Sequence, residues 1–405
     1  MNGKNFSSWE QKGIKQESGY VKTQPFYAEG NGTKKDVRYS PKVREIKTLA
    51  DYFALLKEIH EHNEKRLKVE EKECGSLFLY RGQANVEWNY SPSGLRDEKN
   101  LKREYLIQRE FHRTYFEKMD SMKTVFDEEV LMQHYGAGSR VLDLLESPLM
   151  ALWAACGGDR PKDNSDKYGE VSFWCLDYEN DDLKAYDSST VSLIANTAKC
   201  DYQFYLGNLE IEYHKEHPTS LQDFICLKDV LRRTVVARPK YNNVRFTHQL
   251  NCFAVMNLNK LVDKDGAFSK KFGITVEQFS DYILNAAIIN KDKNSDYQKP
   301  NISRLRRGLH TLGKDFSELE SWDLTFEKCV PNDSSFVDTF DLYKYMYNDS
   351  DNKNEKVPIY AVIPPEAKMS LLKELKYANV TTATVYPDMN IVASELLKSF
   401  ALKID

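Results

Sequence analysis

At 405 residues and a net charge of −4, the chain has room for two or three domains or one elaborated domain, and its charge gives no support for broad electrostatic binding to nucleic acid. Its 41% hydrophobic and 12% aromatic content supplies a core, which excludes global disorder. There is no run of 18 apolar residues, the start MNGKNFSSWEQKG lacks a signal-peptide core, and the seven cysteines are scattered without a CxxC pair. These features predict a cytoplasmic chain with no membrane segment, no disulfide framework and no metal site.

Residues 1–42 are polar and rich in Gly, Lys, Ser and Gln. They read as an N-terminal extension, weakly ordered or docked on a protein partner through Trp9, Tyr20, Phe26 and Tyr27. Thr48 caps a helix with Asp51 at its third position and Leu49, Phe53, Leu56 and Ile59 along one face. Leu77–Arg81 is a short buried strand followed by Gly82. Arginine at the end of an apolar strand is either a phosphate or carboxylate fork or one half of a structural salt bridge. A turn at 91–94 leads through Arg96 into a helix near 98–119, with Tyr105, Ile107, Phe111 and Tyr115 as its expected buried side.

The densest stretch follows, LMQHYGAGSRVLDLLESPLMALWAAC from Leu131 to Cys156. A helix ends at His134, Gly136 and Gly138 permit a turn, and Ser147 with Pro148 starts a new helix striped by Leu149, Leu152 and Trp153. That layout predicts that His134, Tyr135, Arg140, Asp143 and Ser147 come close together. Two bland readings stand beside it: Asp143 pairs with Arg140 or Arg81 to hold the loop, or His134 is a satisfied buried histidine.

Downstream, Glu170–Leu176 is a strand, Val191–Ala198 and Leu221–Leu231 are helices, and TVVARP is a strand. RFTHQLNCF, from Arg245 to Phe253, places Arg245, His248, Gln249 and Asn251 ahead of an apolar strand. Residues 285–356 are charged and read as a polar helical insertion outside the core. The chain ends as strand (VPIYAVIP), helix from Pro365, strand (TTATVYP) and helix after Asp388. Together these elements predict an α+β fold: a mixed central sheet flanked by helices, one elaborated domain over 43–405. No P-loop, GxGxxG, HExxH or GxSxG motif is present, and the helical spacing of His214 and His217 lacks a third ligand.

YRGQ at 80–83, Trp88, SPSGLR at 91–96, QHYGAGSRVLD, ESPLMALWAA, RFTHQLNCF and VYPDMNIVASEL together resemble, in order, the motifs of the FRG domain family. Ala137-Gly138-Ser139 stands where that family has leucine-proline-threonine, and Leu144 where tryptophan is common. At the level of layout the chain is also similar to the ADP-ribosyltransferase clan, whose arginine, serine and late glutamate handle NAD. That likeness implies that Arg81 holds phosphates and ribose, with Gln83, Arg96, Gln133, Arg140 and Arg245 assisting, and that Ser147 orients the nicotinamide ribose. His134 and Tyr135 would contact the nicotinamide or ribose. The late position offers Gln249 rather than a carboxylate, so Asp143 or Glu146 would have to supply the charge. The implied activity is NAD-dependent ADP-ribosyl transfer to a protein or nucleic-acid acceptor, or NAD hydrolysis, by a toxin-like or anti-phage effector. The competing class is a non-catalytic module that senses a nucleotide or partner and switches an associated effector.

Overall fold

A computed structural model describes residues 42–72, 75–88, 90–178, 183–209, 234–240, 251–256, 259–279, 316, 319, 323–329, 346–348, 356–388 and 391–393. Backbone alone is described at 15–16, 19–20, 24–27, 36–39, 42, 189, 346–348 and 356–358. The N-terminal segments form two small antiparallel pairs, 15–16 with 19–20 and 24–27 with 36–39. Trp9, the predicted helix at 221–231 and the segment carrying Arg245, His248 and Gln249 lie outside the described residues.

The fold is α+β, built on a mixed sheet. Its strands are β1 (Lys42–Glu45), β2 (Ser76–Gln83), β3 (Val141–Leu145), β4 (Gly169–Asp177), β5 (Leu183–Lys184), β7 (Thr234–Ala237), β8 (Asn251–Met256), β11 (Met346–Asn348) and β12 (Lys356–Ile363). The order is β11-β12-β4-β2-β3-β8-β7-β5, with β1 also on β12. The β12–β1 and β7–β5 pairs are parallel and the rest antiparallel. A smaller sheet joins β6 (Gln203–Tyr205), β10 (Thr325–Lys328) and β9 (Asn259–Val262).

Local chemistry explains the helices that position the site. α1 (Leu49–Val69) starts at a full capping box between Thr48 and Asp51. α2 (Glu98–Thr114) is capped by Asp97, and the one-turn α3 (Phe116–Met119) follows it. α4 (Val125–His134) is capped by Thr124, and α5 (Pro148–Ala155) by Ser147 with proline in its first turn. α6 (Ser189–Asn196), α7 (Ala267–Phe272), α8 (Pro365–Tyr377) and α9 (Thr382–Val385) complete the set used below.

α5 lies unusually close to the sheet because two strands present glycine to it. A methyl group at Gly82 would sit 1.8 Å from the Ala151 carbonyl oxygen, and one at Gly169 would sit 2.1 Å from that of Ala155. No side chain fits either place, so these glycines set the helix–sheet distance. One face of the sheet carries two apolar clusters. Tyr80, Leu145, Leu152 and Phe173 pack with α1, α5 and α8, while Val141, Phe253 and Val255 pack with α4 and α6. Leu79, Leu142, Leu144 and Trp174 form a third cluster with Tyr90 and Leu95.

Four expectations change. The segment between His134 and Ser147 is not a glycine turn alone: it contains β3, near the middle of the sheet. α2 buries Leu101, Glu104 and Gln108, whereas Tyr115 is exposed and Tyr105, Ile107 and Phe111 are half-buried. The region 285–356 is not wholly outside the core, since Phe316, Leu324, Phe326 and Lys328 are buried. TTATVYP is not a strand: Thr381 and Thr384 form a reciprocal capping box that winds α9.

Candidate functional site

β2 and β3 touch at one register pair, Tyr80 with Leu145. Past it, Arg81, Gly82 and Gln83 remain paired only with β4. The middle of the sheet therefore opens between the C-terminal end of β2 and β3. Arg81 crosses that opening: its Nη1 donates to the Asp143 carbonyl oxygen at 2.7 Å and to Asp143 Oδ1 at 2.8 Å. A side chain here takes the place of a ladder donor.

Register fixes where the Asp143 carboxylate points. Val141, Asp143 and Leu145 stand opposite Val255, Phe253 and Asn251 on β8, so they share a face. Val141 belongs to the cluster under α4 and α6, Leu145 to the one under α1, α5 and α8. Asp143 lies in the seam between them, a third exposed. Gln133, in the last turn of α4, donates to Asp143 Oδ1 at 3.2 Å.

Arg81 retains donors beyond this pair. Its side chain is 14% exposed, its buried Nε has no hydrogen-bond partner, and among the described residues Nη2 makes no hydrogen bond. Arg96 is close enough to feel it. Burial first, then the positive charge of Arg81, lowers the Arg96 guanidinium from its ordinary value, and Asp143 only partly offsets this. Arg96 is held by its Nε donating to the Ser91 carbonyl at 3.0 Å. Two guanidinium groups thus share one carboxylate. Among the described residues that leaves a local excess of positive charge and spare N–H groups beside the opening in the sheet, the requirements for holding an anion.

The other predicted residues divide. Arg140 does not face this seam: it is 1% exposed, its Nη2 bonds Glu104 Oε2 at 2.6 Å, and its backbone N–H bonds Glu129 Oε2 at 2.8 Å. It is held as a structural arginine by α2 and α4, which corrects its assignment to a ligand. Gln83 is 3% exposed and pairs in register with the fully buried Glu170. Tyr135 is 54% exposed and its hydroxyl accepts from Lys118 Nζ at 2.8 Å, turning it towards α3. His134 is half-buried and meets the Tyr135 ring edge-on at 5.1 Å. Ser147 is committed as the α5 cap, accepting from Met150 N–H at 3.4 Å. Glu146 is paired with Arg238, whose Nη2 is 3.0 Å away, and accepts from the Cys252 thiol at 3.6 Å.

Sequence reasoning missed Arg238, although it ends the apolar strand TVVA just as Arg81 ends LFLY, the same signal. Among the described residues no group of three or more His, Cys, Asp or Glu is placed to hold a metal ion. Nor is any helix among them long and apolar enough to cross a membrane.

Residues 76–164 match the model of the FRG domain. That span contains β2, the whole Arg81–Asp143–Gln133 group and Arg96. No curated protein and no solved structure matches the chain.

Proposed function

The chain carries an FRG domain over residues 76–164, and from that premise we propose that the seam around Arg81 binds the phosphates of a nucleotide and that the chain is an NAD-consuming enzyme of ADP-ribosyl-transfer or hydrolase type. The observation that carries the reading is Arg81 at the opening between β2 and β3, 14% exposed, with Nη2 making no hydrogen bond among the described residues and Arg96 adding a second positive charge. Arginine's fork suits phosphate, and the two guanidinium groups suit a diphosphate.

NAD would supply a glycosidic bond whose cleavage releases neutral nicotinamide and leaves positive charge on the ribose. The protein's part is to position the phosphates through Arg81 and Arg96 and to present Asp143, oriented by Gln133, as the nearby negative charge. Ser147 and His134 are the residues we assign to contacts with the nicotinamide ribose; Gln249 and Arg245, the late-segment candidates, lie outside the described residues. The acceptor would be a protein, a nucleic acid or water. In a cell such an enzyme would act as a toxin or an anti-phage effector.

The test is purified full-length chain incubated with labelled NAD and lysate, following nicotinamide release and label transfer. Release that falls about a hundredfold or more in Arg81→Ala is the expected result. Undiminished turnover in that variant contradicts the assignment. One observation favours the sensor class instead: the Asp143 charge is already met by Arg81. NAD binding through Arg81 without turnover would establish that alternative.

A further inference from the structure

α2 carries two faces suited to burial, and the core takes only one of them. Leu101, Glu104 and Gln108 are buried. Leu106, Ile107, Phe111 and Tyr115 form a second stripe at helical spacing, with Arg103 at its N-terminal end, and together they line a shallow groove of about 430 Å³. Leu106 is 46% and Tyr115 53% exposed, while Ile107 and Phe111 are half-buried. Three of these four residues belong to the side of α2 that the sequence alone marks for burial. The stripe shares no residue with the Arg81 group.

The exposed surface continues past α2. The rings of Phe111 and Tyr115 meet at 4.9 Å, and Phe116, which opens α3, is 56% exposed. Lys118 on α3 lies 5.1 Å over the ring of Tyr135, which is 54% exposed. Contiguous exposed aromatic groups of this kind mark a contact surface.

The chemistry of the stripe indicates what it contacts. In steps of four it reads Arg103, Ile107, Phe111, Tyr115: cation, aliphatic, aromatic, aromatic. Laid antiparallel on itself about a two-fold axis near residue 109, it sets Arg103 over the partner's Tyr115 and Ile107 against the partner's Phe111, each twice. A parallel pairing would oppose Arg103 to the partner's Arg103 and repel. Arg109 already lies over the Tyr105 ring and Arg113 is held by Glu110 at 2.7 Å, whereas Arg103 makes no ion pair among the described residues. The stripe is therefore complementary to its own antiparallel copy. We infer that a second copy of this chain docks here, α2 on α2, as a two-fold symmetric pair. A helix of 17 residues gives less area than a standard interface, so monomer and dimer exchange at concentrations on the order of micromolar.

Sedimentation velocity of the full-length chain, over a micromolar to submillimolar range, tests this. The expected result is a concentration-dependent shift towards about twice the chain mass of 47.0 kDa. Leu106→Glu and Tyr115→Glu, both at exposed positions that leave the fold intact, each weaken dimerisation about tenfold or more. Met369→Glu, at a 53%-exposed residue of α8, leaves it unchanged. The antiparallel geometry has its own readout. Glu110→Cys lies beside the axis and gives a disulfide-linked dimer on mild oxidation that the parent chain does not give. Arg103→Cys, about 18 Å from its copy, gives none. A monomer throughout the range, dimerisation indifferent to Tyr115→Glu, or a disulfide through Arg103→Cys overturns the inference.

Discussion

Two arginines on neighbouring strands, Arg81 within β2 and Arg140 just before β3, stand in opposite circumstances. Arg140 is sealed at 1% exposure in a cluster with Glu104 and Lys328, and Lys328 further donates to the carbonyls of Cys200 at 2.7 Å and Ala198 at 3.4 Å. Arg81 reaches into an open seam, shares its carboxylate with Gln133, and leaves Nε unpaired. Burial penalises the charge in both places, and each leaves polar atoms without a hydrogen bond, Nε of Arg81 in one and Nε of Arg140 with Oε1 of Glu104 in the other; what differs is access, 14% of the Arg81 side chain against 1% of the Arg140 side chain. In the cluster around Arg140, burial alone would raise the Glu104 carboxyl, yet Arg140 and Lys328 outweigh it and hold it below the ordinary value. Around Arg81 the neighbouring charge is partly of like sign, and Arg96 is destabilised by it. A charge cluster sealed from solvent supports the fold; one that opens to it is where binding is to be sought.

Removing one member of the sealed cluster has the largest expected effect. Arg140→Met or Lys328→Met should cost about 3–5 kcal/mol in denaturant unfolding, because Glu104 then stays buried with half its compensation. Replacing Glu104, Arg140 and Lys328 together by methionine should recover most of that loss. A mild single-site effect would mean that the cluster is not structural, and the contrast with Arg81 would fail.

Next in size is a pH effect from the same cluster. Burial, followed by the Glu104 charge, pushes the Glu129 carboxyl up from 4.5 to about 7. A folded state that binds this proton more tightly than the unfolded chain is stabilised below pH 4.5 and loses that advantage as pH rises towards 7. At about 1.4 kcal/mol per pH unit the loss is roughly 3 kcal/mol. Glu129→Gln, which can still accept from the Arg140 N–H, should flatten stability over that interval. An unchanged pH slope would remove Glu129 from the account.

The parts of this molecule that were legible in sequence are those determined by neighbours in the chain. The Thr48–Asp51 capping box, the Ser147–Pro148 start of α5 and the Arg81–Gly82 strand end all depend on contacts within a few residues. β3 escaped because VLDLL is five residues long and merges with the apolar run of α5, where periodicity does not separate strand from helix. The face of α2 was misassigned for a long-range reason. Glu104 and Gln108 are buried because Arg140, Lys328 and Glu128 arrive from elsewhere in the chain to satisfy them. Arg140 looked like a ligand residue for the same reason: its two carboxylate partners lie on other helices. The pairing of Arg81 with Asp143 was one of two readings open for each residue, and only the splayed strands show that it leaves donors unused.

Arg81→Met should cost only about 1–2 kcal/mol of stability, since it removes one part-exposed ion pair and one hydrogen bond. Its effect on ligand binding should be far larger. Calorimetric titration of NAD into the full-length chain and into Arg81→Met, at low and at physiological salt, therefore tests the central claim most directly. Saturable binding to the parent chain that weakens with salt and disappears in a folded Arg81→Met variant is the predicted result. Equal affinity in the two proteins, or no NAD binding to the parent, would contradict it.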